Sequence, residues 1–173
     1  GGMSYTFIKA LGYEVGTSLL EESMLEEAKK IMDMAKEKNV DFILPDDFIV
    51  AAEGKEGVPV QVVAWNQMPA NMGGFDIGPK TIEKFGQAIM KAKTIFWNGP
   101  VGLFEVEPFS TGTVEMAKKV AQSGAVTVVG GGDTIAAINQ AGVADAITHI
   151  STGGGALLEF VEGRKLPGVE VLQ

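Results

Sequence analysis

Apolar residues along the chain recur at two spacings. In EESMLEEAKKIMDMAKEKN, residues 21–39, Leu25, Ala28, Met32 and Ala35 fall three or four residues apart with charges between them, predicting an amphipathic helix. Ser23 stands three residues before Glu26, a capping-box spacing that places the helix start there, and Asn39 marks its stop. GPKTIEKFGQAIMKAK repeats the pattern with Ile82, Phe85, Ile89 and Ala92 as its stripe, and Pro79 suits its first turn. STGTVEMAKKVAQSG predicts a third helix ended by Gly124. DTIAAINQAG and ALLEFVEG predict two shorter ones.

Between these lie short apolar runs. DFILP (41–45), VPVQVVAW (58–65) and TIFW (94–97) read as buried strands, AVTVV (125–129) and THIS (148–151) as strands, and LPGVEVLQ as an extended tail. Strands alternating with helices imply a parallel sheet covered on both faces, the α/β class. No fixed-period repeat or low-complexity linker divides the chain, so it reads as one unit or part of one.

Composition narrows the chemistry. At 173 residues and 46% hydrophobic, the chain is long enough for a real core. A net charge of −8 argues against nucleic acid as the main partner. With no cysteine there is neither a disulfide framework nor a thiolate metal site, which fits a reducing, cytoplasmic setting. No apolar run approaches a membrane span, so no membrane partner is expected.

Three loops share one grammar: TIFW-NGPVG, AVTVV-GGG-DTIAAI and THIS-TGGG-ALLEF each run an apolar strand into a glycine turn. In a parallel sheet such turns lie at the carboxyl ends of the strands, where ligands bind. Glycine lets a ligand approach the main chain, and helix-start amides attract phosphate. Asp133, directly after the triple glycine, has two readings: N-cap of a helix beginning at Thr134, or a ligand to Mg²⁺ carried by a phosphate. The P-loop pattern is absent, and neither GGGDTI nor GGGALL meets the dinucleotide fingerprint.

WNGPVGLFEVEPFSTGT, VVGGGDTIAAI, HISTGGGALLEFVEG and LPGVEVL resemble, in order and spacing, the C-terminal domain of the phosphoglycerate kinase family. GGMSYTFIKALGYEVGTSLLEE, ILPDDFIVA and MGGFDIGPKTIEKF extend the likeness over essentially the whole chain. The resemblance implies a Rossmann-like three-layer parallel sheet and phosphoryl transfer, with Mg²⁺, between 1,3-bisphosphoglycerate and ADP, giving 3-phosphoglycerate and ATP in glycolysis. It implies that Gly1, Gly2, Leu19, Gly74, Phe75, Pro100, Gly102 and Leu103 line an adenine slot and that Glu105 holds the ribose. It further implies Asn98 beside the phosphates, Gly131, Gly132, Asp133 and Thr134 on the β- and γ-phosphates, and Asp133 on the metal. Gly132, Gly153, Gly154 and Gly155 would present amides to the transferred group.

The departures matter as much. Against the family pattern, the N-terminal glycerate-binding domain is absent, as are the first strands of the C-terminal domain and a lysine-bearing segment ahead of Gly1. Lys9, Lys80 and Lys93 do not match those lysines, and Met72-Gly73 replaces a Trp-Met pair. Residues 1–173 are therefore expected to be a partial nucleotide-binding domain, inactive alone, reaching 3-phosphoglycerate only through the missing domain. The parent is expected to be a monomer.

The other readings are a catalytically silent nucleotide-binding module, an assembly through an exposed sheet edge and, most remote, an NAD oxidoreductase. Gly-Gly-Met reads as genuine sequence rather than an added leader. His149 reads as a structural hydrogen-bonding residue, the methionines of IMDMAK as helix-face core, EESMLEE as a solvated helix start, and Trp65 and Trp97 as packing residues.

Overall fold

The computed structural model describes residues 1–171. The order of elements is α1 (Met3–Ala10), α2 (Leu25–Glu37), β1 (Asp47–Ala51), β2 (Gln61–Ala64), β3 (Gly73–Ile77), α3 (Pro79–Lys91), β4 (Thr94–Asn98), α4 (Thr111–Gln122), β5 (Val126–Gly130), α5 (Gly132–Gln140), β6 (His149–Ser151), α6 (Gly155–Val161) and α7 (Pro167–Glu170). Contacts divide the chain into two compact units, residues 1–87 with 101–116 and residues 88–100 with 117–173, the divisions falling within α3, in the loop between Pro100 and Val101, and within α4.

The first unit holds an antiparallel sheet ordered β2-β1-β3, with a register shift between Ile49 and Val50. Its core gathers Tyr5, Ile8, Val15, Phe48, Val50 and Met68. Trp65 packs on this core and meets the Tyr13 ring edge-on at 4.5 Å. The second unit holds the parallel sheet β4-β5-β6 of a Rossmann-like α/β fold. Its core joins Ala117, Val120, Val129, Ile138 and Ile147, with Trp97 packed against it.

The helices follow the periodicity, with local corrections. Helix α2 begins at Leu25 after a 3-10 turn, Glu22–Met24, and no side chain caps it. The capping box does not form because the Ser23 hydroxyl donates instead to Glu21, at 2.6 Å. Asn39 is the stop, with φ of +52°. The amides of Asn39 and Val40 return to the carbonyls of Lys36 and Ala35, so the left-handed residue closes a Schellman motif. The acidic start is solvated, with Glu26 and Glu27 pairing to Lys29 and Lys30. Met32 is half-buried but Met34 is exposed, so only the first of that pair faces protein.

The strands depart further. Residues 41–45 are not a strand: among the described residues they join no ladder, Phe42 and Ile43 are exposed, and β1 begins only at Asp47. A strand requires a neighbour to pair its backbone groups, and the apolar run alone does not supply one. TIFW is a strand but not a buried one, because β4 lies at the end of its sheet with Phe96 39% exposed, and VPVQVVAW narrows to β2, likewise at the end of its sheet with Val62 exposed. The tail is not extended over Pro167–Glu170, where α7 makes a short turn of helix, and Leu172 and Gln173 lie outside the described residues. Helix α1, strands β1 and β3 and the antiparallel sheet have no counterpart in the periodicity reading.

Candidate functional site

In the second unit, the junction of β5 and α5 places three consecutive glycines in three different surroundings. At Gly130 a Cβ would collide with Leu157 Cδ2. Gly131 has φ of +89° and ψ of 135°, a region that side-chain-bearing residues rarely adopt, and it is the N-cap of α5. At Gly132 a Cβ would meet nothing within 4 Å, and no fold constraint there demands glycine.

Helix α5 therefore begins two residues earlier than the N-cap reading of Asp133 requires. Gly131 turns the chain unaided, with no side-chain cap, so Asp133 lies inside the first turn and does not cap the helix. Its carboxylate is exposed and takes part in no hydrogen bond or ion pair among the described residues. The first-turn amides lack intrahelical acceptors, and the aligned dipoles favour negative charge there.

Thr134 is buried, and its hydroxyl oxygen accepts the Gly99 amide at 2.6 Å. The Trp97 indole N–H donates to the Gly99 carbonyl at 2.8 Å, so both main-chain groups of this φ +99° residue are held. The turn carrying Asn98 and Pro100 is thereby fixed, and the Asn98 side chain lies 3.3–3.5 Å from the position of a Cβ on Gly131.

At the end of β6, Gly154 is the N-cap of α6 with φ of +50°, and a Cβ on Gly154 or Gly155 would meet nothing within 4 Å. Gly153 donates its amide to Ser151 Oγ at 3.3 Å. His149, exposed on β6, makes no side-chain hydrogen bond among the described residues, which corrects its structural reading. Its strand is only three residues long and leaves the residue exposed.

The first unit brings a second group together. A Cβ on Gly2 would lie 2.8 Å from Leu19 Cδ2, and the Gly1 nitrogen donates to the Val101 carbonyl at 2.9 Å. Leu103 donates its amide to the Phe75 carbonyl at 2.7 Å, and the Phe75 ring packs on Phe109 with centroids 5.0 Å apart. Gly74 is buried, donates to Ser18 Oγ at 2.9 Å, and is held to glycine by the Tyr5 ring, which fills the space of a Cβ. Glu105 is exposed in the loop beyond Leu103.

Sequence reasoning passed over two carboxylates in this unit. Asp47 is buried and receives the amides of Lys80 (3.1 Å) and Thr81 (2.8 Å) and the Thr81 hydroxyl (2.7 Å), all at the start of α3. Asp76, 1% exposed, receives the amides of Ile77 (2.8 Å) and Gly112 (2.7 Å), the latter in the first turn of α4. Burial pushes the Asp76 carboxyl up from 3.8 to about 6, against the opposing pull of those two N–H groups. Burial, with the charge on Asp76, also pushes the Tyr5 hydroxyl upward. The available signal was the Asp-Ile-Gly-Pro word, an acid three residues ahead of a proline that opens a helix.

Among the described residues no three His, Asp or Glu side chains gather as a metal cage, and no helix is long and apolar enough to cross a membrane. A single unpaired carboxylate suits a cation that arrives already bound to phosphate.

The family model described as phosphoglycerate kinase matches residues 1–164. The phosphoglycerate kinase of Dictyoglomus turgidum is 53% identical over 174 residues, covering 100% of this chain and 44% of the relative. That of Anaeromyxobacter sp. (strain K) is 54% identical over 173 residues, with the same coverage of both. The structure of phosphoglycerate kinase from Coxiella burnetii superposes with a TM-score of 0.96 at 44% identity, over 100% of this chain and 45% of that one. The enzyme from Pyrococcus horikoshii gives 0.80 at 36% identity, over 98% and 43%. The chain thus spans less than half the length of the relatives it matches.

Proposed function

Because the chain belongs to the phosphoglycerate kinase family, we propose that residues 1–173 are part of its C-terminal, nucleotide-binding domain, taking ADP or ATP. The observation that carries this reading is the start of α5: an open position at Gly132 beside amides without intrahelical acceptors and an unpaired Asp133 carboxylate. In this reading the amides of Gly132, Asp133 and Thr134 hold phosphate oxygens, while the Thr134 hydroxyl, engaged by Gly99, holds the neighbouring turn. Asn98 accompanies the phosphates. The glycines at 153–155 offer amides to the transferred group, stabilising charge by preorganisation rather than by covalent chemistry.

In the first unit, the group around Phe75 and Leu103, with Gly1, Gly2, Leu19, Gly74 and Gly102, takes adenine, and Glu105 takes the ribose. Mg²⁺ bound by Asp133 would neutralise phosphate charge.

The reaction proposed for the whole protein is phosphoryl transfer between 1,3-bisphosphoglycerate and ADP. These 173 residues, which match 44% of their relatives' length, are proposed not to turn over alone. ATP formation by this chain in a coupled assay would overturn that part.

Calorimetric titration with ADP and ATP, with and without Mg²⁺, tests the binding. The expected result is metal-enhanced affinity, with the enhancement lost in Asp133→Ala. Absence of binding to the wild-type chain would sink the nucleotide reading. Metal enhancement retained in Asp133→Ala would remove the metal role alone.

A further inference from the structure

The loop that carries Gly102, Leu103 and Glu105 has no regular secondary structure between Pro100 and Ser110, yet buried groups of its own unit hold it at three points. Thr113, fully buried in the first turns of α4, accepts the amides of Val101 and Gly102 on one hydroxyl oxygen, both at 3.2 Å. The Phe75 carbonyl accepts Leu103 at 2.7 Å. Asp76 Oδ1 occupies the space of a Cβ on Gly102 and also of one on Gly112, so both glycines press against a single carboxylate. Oδ2 of the same carboxylate accepts the Gly112 amide at 2.7 Å. Strand β3, the start of α4 and the loop therefore converge on Asp76 and Thr113, both buried away from any ligand.

We infer that Asp76 and Thr113 are positioning residues for adenosine recognition: they fix the 101–105 loop in its binding shape without touching the nucleotide. The inference rests on the nucleotide reading above and adds to it a residue pair outside the set implied by the family resemblance. The two act on one part of the ligand. Every bond described lies in the first unit, whereas the candidate phosphate amides at 131–134 belong to the second. Losing the pins releases the loop that takes adenine and ribose and leaves the amides at the start of α5 in place.

The test compares adenosine with tripolyphosphate as separate probes on the full chain, by calorimetry or saturation-transfer NMR. Thr113→Val and Asp76→Asn should each weaken adenosine binding at least tenfold while tripolyphosphate affinity stays within twofold. Thr113→Ser, which keeps the accepting oxygen, should restore adenosine affinity to within about twofold of wild type. Amide hydrogen exchange at Val101 and Gly102 reads the pin directly and should rise in Thr113→Val but not in Thr113→Ser. Should Thr113→Val fail to fold, Asp76→Asn, which keeps the side-chain shape, and the serine variant carry the comparison.

Wild-type adenosine affinity in variants whose Val101 and Gly102 amides exchange freely would overturn the inference and leave the nucleotide reading standing. Equal losses for both probes would also overturn it, since that is the mark of general destabilisation. A wild-type chain that binds neither probe would instead overturn the nucleotide reading itself.

Discussion

Helix starts in the two units of this molecule meet the same electrostatic problem with opposite solutions. Every α-helix leaves its first amides unpaired and carries partial positive charge there. At α3 and α4, whose starts lie in the first unit, the protein fills that demand itself: Asp47 from β1 enters the start of α3, and Asp76 from β3 enters the start of α4. Gly78 and Gly112 are glycines because those carboxylates occupy the space of their Cβ atoms. In the second unit the start of α5 receives no resident acid. Gly131 turns the chain, Gly132 leaves space, and Asp133 stays exposed. A glycine beside a helix start therefore has two meanings, made room for an internal anion or room left for an external one. What occupies the space of the absent Cβ decides between them.

The most disruptive way to break this contrast is to empty a filled start. Asp47→Ala strands the buried Thr81 amide and the partly buried Lys80 amide, and a loss of about 2–4 kcal/mol in urea unfolding is expected. The counterpart at the open start, Asp133→Ala, should change stability by no more than about 0.5 kcal/mol, since no protein contact is lost. Comparable costs at the two positions would erase the distinction.

Asp76 sharpens the contrast through pH. Its carboxyl is raised in the folded state from 3.8 to about 6, so between those values the folded chain binds more protons than the unfolded chain. Its contribution is therefore fully present below about pH 4 and is lost as pH rises through about 6, amounting to ~3 kcal/mol. Beside it the Tyr5 hydroxyl stays protonated throughout this window, and the Gly1 amino group, lowered by burial from 8.0 to about 6, loses its proton at the window's upper end. The stability of wild type minus that of Asp76→Asn should fall over this interval, as measured by urea unfolding at pH 4, 5, 6 and 7. A flat difference would show that the carboxyl is not displaced.

These buried acids also explain which parts of the fold were legible in the sequence. Helices α2, α3 and α4 announce themselves because one face meets a core and the other meets water, which writes a period into the residues. Strands β5 and β6 and their glycine turns were equally plain. Strand β3 was not, because GGFDI holds two glycines and a buried acid, residues that strand propensity disfavours. It is a strand through its pairing with β1, more than twenty residues earlier in the chain, and Asp76 is satisfied by Gly112, 36 residues later.

The apolar run DFILP failed in the opposite direction. Its residues favour a strand, but pairing partners are not a property of the run itself. At the candidate site, the glycine turns were legible as a group while their separate reasons were not. Leu157 against Gly130 and Asn98 beside Gly131 are contacts made by folding across some 27 and 33 residues of chain.

The triple glycine offers the finest test, because its members differ only in what surrounds them. Gly131→Ala forces a side chain into a backbone region nearly restricted to glycine and should cost about 1–3 kcal/mol. Gly132→Ala should do the reverse. Position 132 opens a helix, a Cβ there meets nothing, and alanine favours helix over glycine, so stability should hold or rise by up to about 0.5 kcal/mol. If the open space is where phosphate approaches the main chain, the same methyl group should weaken ATP binding at least tenfold. A variant that is no less stable but binds more weakly separates ligand space from fold space at one residue, by thermal unfolding and calorimetry on the same sample. Unchanged ATP affinity in Gly132→Ala would mean that the space at the start of α5 is left open for no phosphate.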